Sequence, residues 1–322
     1  MGSGKADNEQ LKGSKLFDVS HVTAVVTGGG TGIGLVIIQA LVTNGAKVYI
    51  TSRRDEVLKQ TDKLYDTRPG QIIPLQGDVR DKNNIKRLYD EVSEKEPKEI
   101  QLLVNNAEIA RDDRTKIYSA GQPEITDAQT MSNRLWRSEP ESWADTFKTN
   151  VIRVYYMSIA LLPLLAKGRE VAPGYTSSIV NVSFISGCKK GNSMGQFAYA
   201  SSKAAATHLT RMLASTFAQT KVRVNSMAPG LFPSEMTTGE SGEDNKSVID
   251  KQLPNPAGRP GNDFDMAATI LFLAGLGGVF YNEQILYPDG VCPTAHVLLS
   301  AVCILTSPRQ HSCLASCEVV LI

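Results

Sequence analysis

The stretch TGGGTGIG, residues 27–34, decides the fold, because it stands between a strand-like and a helix-like segment. HVTAVVTGGG (21–30) is an apolar run that ends in glycines, and LVIIQALVTNGA (35–46) has helical spacing and a C-terminal glycine. Glycines at such a junction let the backbone turn sharply and approach a pyrophosphate, whose charge the helix N-terminus stabilises. The stretch therefore predicts a dinucleotide site. Its cofactor-binding residues are Gly28, Thr31, Gly32, Ile33 and Gly34.

Outward from this stretch, strand-like and helix-like segments alternate. Strands are predicted at 47–54, 71–75, 100–104, 177–184, 222–229 and 283–288, and helices at 55–65, 82–92, 138–165, 196–219 and 265–273. The longest helix is predicted to begin at Ser138. Ser138 and Glu141 have the spacing of a capping box, and Pro140 lies in the first turn. This alternation predicts an α/β domain with one parallel sheet and helices on both faces.

The chain divides into three parts. Residues 1–20 are polar and aperiodic, and we predict a mobile lead-in. Residues 21–290 form a single α/β domain, in which 109–137 interrupt the alternation as a polar surface insertion. Residues 291–322 are rich in cysteine and nearly without acidic residues, which indicates an atypical C-terminal tail.

Composition argues against several classes of function. The formal net charge of +1 provides no basic field for nucleic acid or for an anionic membrane. The odd number of cysteines, five, indicates no disulfide framework, and the four histidines are too scattered for a metal site. No signal-peptide core and no apolar run of about 20 residues is evident. We therefore expect a cytoplasmic protein with no membrane, nucleic-acid or metal partner.

After the second predicted strand stand Ser52, Arg53 and Arg54, where a site for a free ribose would have Asp or Glu. Guanidinium groups match the oxygens and the charge of a 2′-phosphate. The sequence therefore favours NADP over NAD, with all three residues at the cofactor. A solvated basic turn is the alternative interpretation.

Tyr199 and Lys203 are four residues apart in YASSK, on a predicted helix, so their side chains share a face. An ammonium beside a phenol lowers the pKa of the phenol from its ordinary value of about 10. Tyr199 is thus a candidate general acid or base. Asn150 lies on the apolar face of its helix, and a buried amide there needs hydrogen-bond partners.

These features together resemble the short-chain dehydrogenase/reductase family over about residues 21–290. The motifs that carry the resemblance, in the family's order, are TGGGTGIG, Asp78-Val79, Asn105-Asn106-Ala107, Asn150, YASSK and Pro229-Gly230. The resemblance implies a Rossmann-like doubly wound sheet of about seven parallel strands. It also implies reversible hydride transfer between a nicotinamide and a small carbonyl or alcohol substrate, in a homodimer or homotetramer. Within the family the chain is similar to fungal NADP-dependent reductases.

The resemblance assigns further residues to the cofactor. Asp78, beside Val79, would accept a hydrogen bond from the adenine amino group, and Asn105 and Ala107 would contact the adenosine ribose. The segment that starts at Pro229 and Gly230 and ends at Ser234 would flank the nicotinamide.

The resemblance also implies a catalytic set. Tyr199 would donate the proton, and Lys203 would hold the nicotinamide ribose as well as tune Tyr199. Asn150 would support a water molecule in the proton relay.

Two departures from the family pattern bear on activity. Glu108 puts a carboxylate where the backbone of a glycine normally approaches the cofactor. Phe184 stands at the position of the catalytic serine, whose hydroxyl bonds the substrate oxygen as it gains charge. Because alternate residues of an extended segment share a side, and because Ser186 has a spacing to Tyr199 that the family often shows, we predict Ser186 as the substitute.

The sequence thus predicts an NADP-dependent reductase of a small apolar, acyl- or polyketide-like carbonyl compound. The departures at Glu108 and Phe184 leave open an NADP-binding protein with weak or no redox activity, or with a non-redox role. A hydrolase is also conceivable, since Ser193 lies in a G-x-S-x-G pattern. It comes about ten residues after a strand, however, whereas a nucleophile elbow follows its strand directly.

Overall fold

The computed structural model describes residues 8–111, 114–116, 126–168, 174–189, 193–250, 252–253 and 255–290. Parallel strands form one seven-stranded sheet in the order β3-β2-β1-β4-β5-β6-β7. The strands are β1 Thr23–Thr27, β2 Lys47–Ser52, β3 Gln71–Gln76, β4 Leu102–Asn105, β5 Ser178–Val182, β6 Arg223–Met227 and β7 Ile285–Leu286. The chain winds outward in both directions from β1, which pairs with β2 and with β4, so a crevice opens at the carboxyl ends of these strands. The expected doubly wound α/β fold is confirmed.

Helices lie on both faces of this sheet, close to where the hydrophobic spacing predicts them. They are α1 Gly13–Leu16, α2 Gly32–Thr43, α3 Asp55–Tyr65, α4 Lys82–Lys95, α5 Ala128–Leu135, α6 Pro140–Phe147, α7 Arg153–Lys167, α8 Phe197–Phe217, α9 Glu235–Thr238 and α10 Asp263–Ala274. α3 begins and ends at the predicted residues, and α8 and α10 differ from prediction by two residues or fewer at each end.

The sheet separates two apolar cores. α2 and α10 contribute to one core, whereas α4, α7 and α8 contribute to the other. Successive residues of a strand point to opposite faces, so Val26 of β1 belongs to the first core and Val25 to the second. β4, β5 and β6 are buried along their whole length, and β4 and β5 are mostly apolar, whereas β6 also buries Arg223, Asn225 and Ser226.

The long helix predicted from Ser138 has a different start and a defect in its middle. Pro140 is its first residue, but the hydroxyl of Ser138 accepts a hydrogen bond from the indole of Trp143 at 2.9 Å and caps nothing. Between α6 and α7 the chain forms one π-helical segment, Lys148–Ile152. The helix from α6 to α7 is long and apolar enough to cross a membrane, but half of its apolar stretch is buried within the fold, as in a core helix.

The peripheral segments contact the domain more than their composition suggests. The second half of the predicted mobile lead-in forms helical turns at Asn8–Leu11 and α1, and Leu16 packs against Gly275. In the predicted surface insertion, Thr115 and Arg134 are buried. The hydroxyl of Thr115 donates to the carbonyl of Gly195, and the guanidinium of Arg134 donates to the carbonyl of Thr115. The predicted tail, 291–322, lies outside the described residues.

Candidate active site

A cavity of about 420 Å³ opens at the carboxyl ends of the strands, where the crevice is expected. Its wall includes most of the residues that the sequence assigns to a dinucleotide. These are Gly28, Thr31, Gly32, Ile33, Ser52, Arg53, Arg54, Asp78, Val79, Ala107 and Ser234. The sequence therefore predicts the position of the cavity and the larger part of its wall.

The glycine turn owes its shape to close contacts between backbone segments. Gly28 has a φ of +68°, and a Cβ there would lie 2.9 Å from the Cα of Ala107. A Cβ at Gly34 would lie 2.1 Å from the carbonyl oxygen of Gly28, so α2 can begin against the turn only with a glycine. The side-chain amide of Asn106 donates to the carbonyls of Thr27 and Gly28 and fastens the turn to the end of β4.

The edge of the cavity near β2 and β3 carries two ion pairs. Arg80 holds the Asp78 carboxylate through its guanidinium, with a shortest contact of 2.7 Å, and this hydrogen bond holds the pKa of Asp78 below its usual value. Arg54 binds both carboxylate oxygens of Glu235, at 3.1 and 2.8 Å, across the mouth of the cavity. One of the two arginines predicted for the 2′-phosphate, Arg54, is therefore paired with Glu235, whereas Arg53 lines the cavity on the side of Asp78, with which its charge interacts.

Two buried hydroxyls in the cavity wall, those of Thr51 and Thr149, have no hydrogen-bond partner in the described structure. Leaving a buried polar group unpaired costs about 1–3 kcal/mol, so both atoms suit a polar ligand. Together with the backbone cradle at Gly28 and the guanidinium of Arg53, they fit an anionic, hydroxyl-bearing nucleotide. The residues present thus fit the nicotinamide dinucleotide that the family resemblance implies.

Several predicted cofactor residues lie away from the cavity wall. The side chain of Asn105 lies on the face of the sheet that α7 covers, where its amide donates to Asn181 at 2.9 Å. The neighbouring Asn106 lines the cavity instead. Pro229 and Gly230 form backbone hydrogen bonds at the end of β6 and also lie outside the wall. The side chain of Asn105 points to the interior because the side chains of a strand alternate, and its predicted contact with the adenosine ribose stays a prediction.

Tyr199 and Lys203 lie side by side on α8, as their spacing predicts, and both are buried. The ammonium of Lys203 is 5.5 Å from the centre of the Tyr199 ring and donates to the carbonyl of Val182 at 3.1 Å. Neither residue is part of the cavity wall, whereas Glu108 is. The carboxylate of Glu108 forms a salt bridge with Lys203 and accepts a hydrogen bond from the Tyr199 hydroxyl at 3.1 Å, and it thus separates the pair from the cavity.

The protonation of this pair differs from the expectation. Burial, with the negative charge and the hydrogen bond of Glu108, raises the pKa of Tyr199 well above 10. Burial lowers the pKa of Lys203, and Glu108 opposes that effect. The predicted lowering of the Tyr199 pKa by Lys203 is therefore wrong for this structure, because burial disfavours the phenolate and Glu108 compensates the charge of the ammonium.

Asn150 is buried in the π-helical segment and holds a loop. Its side-chain oxygen accepts from the backbone N–H of Ile109, while its amide donates to the Ile109 carbonyl and to the hydroxyl of Ser202. Both amide hydrogens are engaged, so the side chain clamps the backbone next to Glu108. Its predicted support of a water molecule stays a prediction.

Arg153 is a further part of the site that the sequence did not suggest. It is 2% exposed, and its guanidinium donates to the carbonyl of Ala107 and to the hydroxyl of Thr27. Burial lowers its pKa to about 10, and the charge of Glu108 opposes this shift. No local pattern in the sequence predicts a guanidinium there, because its partners are 46 and 126 residues away.

Phe184 and Ser186 lie beyond the end of β5, which ends at Val182, two residues before the predicted end of the strand. The ring of Phe184 meets the ring of Tyr199 edge to face, with their centres 5.8 Å apart. The hydroxyl of Ser186 shares a hydrogen bond of 2.6 Å with that of Ser193, in a loop where Ser193 has a φ of +50°. Ser183 is buried and donates to the carbonyl of Lys203 instead. Ser193 therefore lies in this part of the site. Its hydroxyl bonds to that of Ser186, and not to a histidine as the serine nucleophile of a hydrolase would.

Comparisons with known proteins agree with this geometry. The family model for short chain dehydrogenases matches residues 22–245. The chain is 39% identical over 282 residues to the short-chain dehydrogenase/reductase PhomF′ of Diaporthe leptostromiformis, which covers 87% of this chain and 94% of the relative. It is 30% identical to the 3-oxoacyl-[acyl-carrier-protein] reductase FabG of Chlamydia pneumoniae, over 83% of this chain and 94% of the relative.

Among solved structures, the Pseudomonas aeruginosa RhlG/NADP active-site complex superposes with a TM-score of 0.68. That protein is 28% identical to this chain, and the match covers 85% of this chain and 97% of the other. The two folds are therefore closely similar.

Proposed function

The chain belongs to the short-chain dehydrogenase/reductase family, and from this premise we propose that it reduces the carbonyl group of a small apolar, acyl- or polyketide-like compound with NADPH. The observation that carries the proposal is the proximity of a nucleotide-sized cavity to a buried tyrosine and lysine pair, Tyr199 and Lys203, at one edge of the sheet. The similarity to a 3-oxoacyl-[acyl-carrier-protein] reductase supports the substrate class.

The cofactor would lie along the cavity wall. The backbone at Gly28 and Gly32 would receive the pyrophosphate, and Arg53 would meet a 2′-phosphate at the exposed edge. The unpaired hydroxyls of Thr51 and Thr149 would bond to the polar groups of the nucleotide. When bound, the nicotinamide supplies the hydride.

The proton would come from this chain. Tyr199 would donate the proton of its hydroxyl to the substrate oxygen, and Lys203 would stabilise the resulting phenolate. Ser186 would donate a hydrogen bond to the same substrate oxygen, in place of the serine that Phe184 replaces. Asn150 would fix the loop from Glu108 to Ile109 beside this centre.

The proposal is tested by NADPH oxidation with the purified protein across a panel of ketones, quinones and acyl thioesters. We expect turnover with apolar ketones or acyl thioesters, and Tyr199→Phe should remove it. If no carbonyl compound is reduced although NADPH binds, the reductase proposal fails.

A second candidate is an NADP-binding protein without redox turnover. Glu108 favours it, because its carboxylate occupies both hydrogen-bonding groups of the catalytic pair and stands between them and the cavity. Phe184 favours it too, because it replaces a hydroxyl donor. Tight binding of NADPH without oxidation by any member of the panel would support this candidate.

We also propose that residues 21–290 act as one domain in the cytoplasm, as a homodimer or homotetramer. The exposed side chains of Ile152, Tyr155 and Ile159 share one face of the helix that contains α7, and this apolar face supports self-association. Light scattering would test the assembly, and fractionation of the cells would test the location.

A further inference from the structure

Glu108 lies at the centre of the proposed active site and has three neighbours of different kinds. Its carboxylate touches the Tyr199 hydroxyl and the Lys203 ammonium, and its side chain lines the cavity. Tyr199 and Lys203 are each 2% exposed, whereas the side chain of Glu108 is 23% exposed. The carboxylate of Glu108 therefore joins the buried pair to the cavity.

We propose that Glu108 is a positioning residue that holds Tyr199 as the neutral phenol, so that the site can donate a proton to a substrate but cannot accept one near neutral pH. The phenol donates its hydrogen to a carboxylate, which binds the protonated form and repels the phenolate. Lys203 would favour the phenolate, but its charge is compensated by the same carboxylate. Burial raises the pKa of Tyr199, and the charge and hydrogen bond of Glu108 raise it further.

The charged groups that face the pair come from three elements. Lys203 is on α8 itself, Glu108 follows β4, and Arg153 enters from α7 with its guanidinium buried under the same loop. The two cations favour the phenolate and the one anion opposes it. Only the anion is in direct hydrogen-bond contact with the Tyr199 hydroxyl among these three groups. Contact in a buried site outweighs a more distant charge, so the neutral phenol is favoured.

The consequence for the reaction rests on the proposed function. In carbonyl reduction the hydroxyl of Tyr199 gives its proton to the substrate oxygen, which gains a hydride at its carbon and becomes an alcohol. In alcohol oxidation the phenolate must take that proton back. Glu108 disfavours the phenolate, so the oxidative direction should require a more alkaline solution than the reductive direction.

The ionisation of Tyr199 can be measured directly by nuclear magnetic resonance of the protein labelled with tyrosine carrying carbon-13 at Cζ. Tyr199→Phe identifies the resonance among the 10 tyrosines of the chain. We expect Tyr199 to remain a phenol throughout the accessible alkaline range. In Glu108→Gln, which keeps the size of the side chain and loses the charge, the midpoint should fall by at least about one pH unit, a tenfold change in the ionisation equilibrium.

Two variants serve as controls. Glu235→Gln removes another carboxylate from the same cavity and should leave the Tyr199 resonance unchanged. Glu108→Gly removes the charge together with the side chain, and it should lower the midpoint if Glu108→Gln does not fold. If Tyr199 titrates equally with and without the carboxylate, or stays a phenol in both Glu108 variants, the proposal is overturned.

This titration uses no substrate and no cofactor, so its result is independent of the reductase panel. An inactive protein in which Glu108→Gln lowers the midpoint retains this inference and loses the proposed function. If the protein is active and the midpoint is unchanged, the proposed function is retained and this inference is lost. For an active protein, the pH profile gives a second readout: Glu108→Gln should move the acidic limb of alcohol oxidation to lower pH by the same interval.

Discussion

The two ends of the crevice are built in different ways. At the end near β2, the shape of the site is set by backbone contacts, such as the 2.1 Å that would separate a Cβ on Gly34 from the carbonyl of Gly28. At the end near α8, the proposed chemistry depends on side chains, and one carboxylate, that of Glu108, contacts both Tyr199 and Lys203. A backbone site follows from a short sequence pattern. A side-chain site changes with a single substitution, even where every motif residue is present.

The largest expected effect is at the backbone end, with Gly34→Ala. The new Cβ would meet the backbone of Gly28, which cannot yield without separating α2 from β1. We expect a loss of about 3 kcal/mol or more in the free energy of unfolding, together with loss of cofactor binding.

Denaturant unfolding and NADP titration measure these two quantities. Gly13→Ala is the matched control, because its Cβ would have only the ring of Phe17 nearby, at 3.8 Å, and stability should stay within about 0.5 kcal/mol. A Gly34→Ala protein that binds NADP normally would show that the backbone contact does not determine the site.

The next largest effect is at the side-chain end. Tyr199→Phe removes the proposed proton donor, and we expect any reductase rate to fall by about a hundredfold or more. Cofactor affinity should change little, because Tyr199 lies outside the cavity wall. Steady-state rates and NADPH titration separate the two effects. Tyr281→Phe, at a half-exposed tyrosine between α10 and β7, should be neutral in both, and normal turnover in Tyr199→Phe would exclude the mechanism.

The difference between the two ends also decides how far the sequence predicts the structure. The sheet, its helices and the glycine turn follow from hydrophobic spacing and from glycines that are adjacent in the chain. The contact of Glu108 with Tyr199 joins residues 91 positions apart, and that of Arg54 with Glu235 joins residues 181 positions apart. Such pairs depend on the tertiary arrangement, so the sequence shows Glu108 as a departure without showing which groups it contacts.

The same limit applies to smaller features. The π-helical segment at Asn150 and the left-handed backbone at Ser193 have no local signature in the sequence. The insertion reads as a polar surface segment, yet Thr115 within it is buried, because its hydroxyl binds the carbonyl of Gly195. Polar residues that are satisfied by distant backbone groups are regularly mistaken for solvent-exposed ones when only the composition is known.

A gain of activity after substitutions near α8 would also test the difference between the two ends of the crevice. Phe184→Ser restores a hydroxyl donor whose loss typically costs about 10²–10³ in rate, and Glu108→Gly frees Lys203 and Tyr199. We expect the double variant to raise reductase activity by at least about tenfold over the natural chain.

Ser186→Ala distinguishes the two ways in which this prediction can fail. If Ser186 already supplies the hydroxyl, Ser186→Ala abolishes the residual rate and the double variant adds little. If the double variant binds NADPH and remains inactive on every carbonyl compound, the non-redox candidate is favoured and the reductase proposal is lost.

The smallest expected effect distinguishes two neighbouring arginines at the backbone end. We expect NADP to bind at least about tenfold more tightly than NAD, an energy of about 1.4 kcal/mol, with Arg53 as the main contributor. Arg54 already binds both oxygens of Glu235, so a 2′-phosphate would have to replace an existing partner and gain less. Arg53→Asp should therefore remove the preference, whereas Arg54→Gln should change it by only about threefold, on the scale of a surface ion pair. Calorimetric titration of both cofactors measures this, and adding Glu235→Gln should increase the contribution of Arg54. Equal losses in the two single variants would mean that the salt bridge with Glu235 opens at no cost and that the two guanidinium groups act alike.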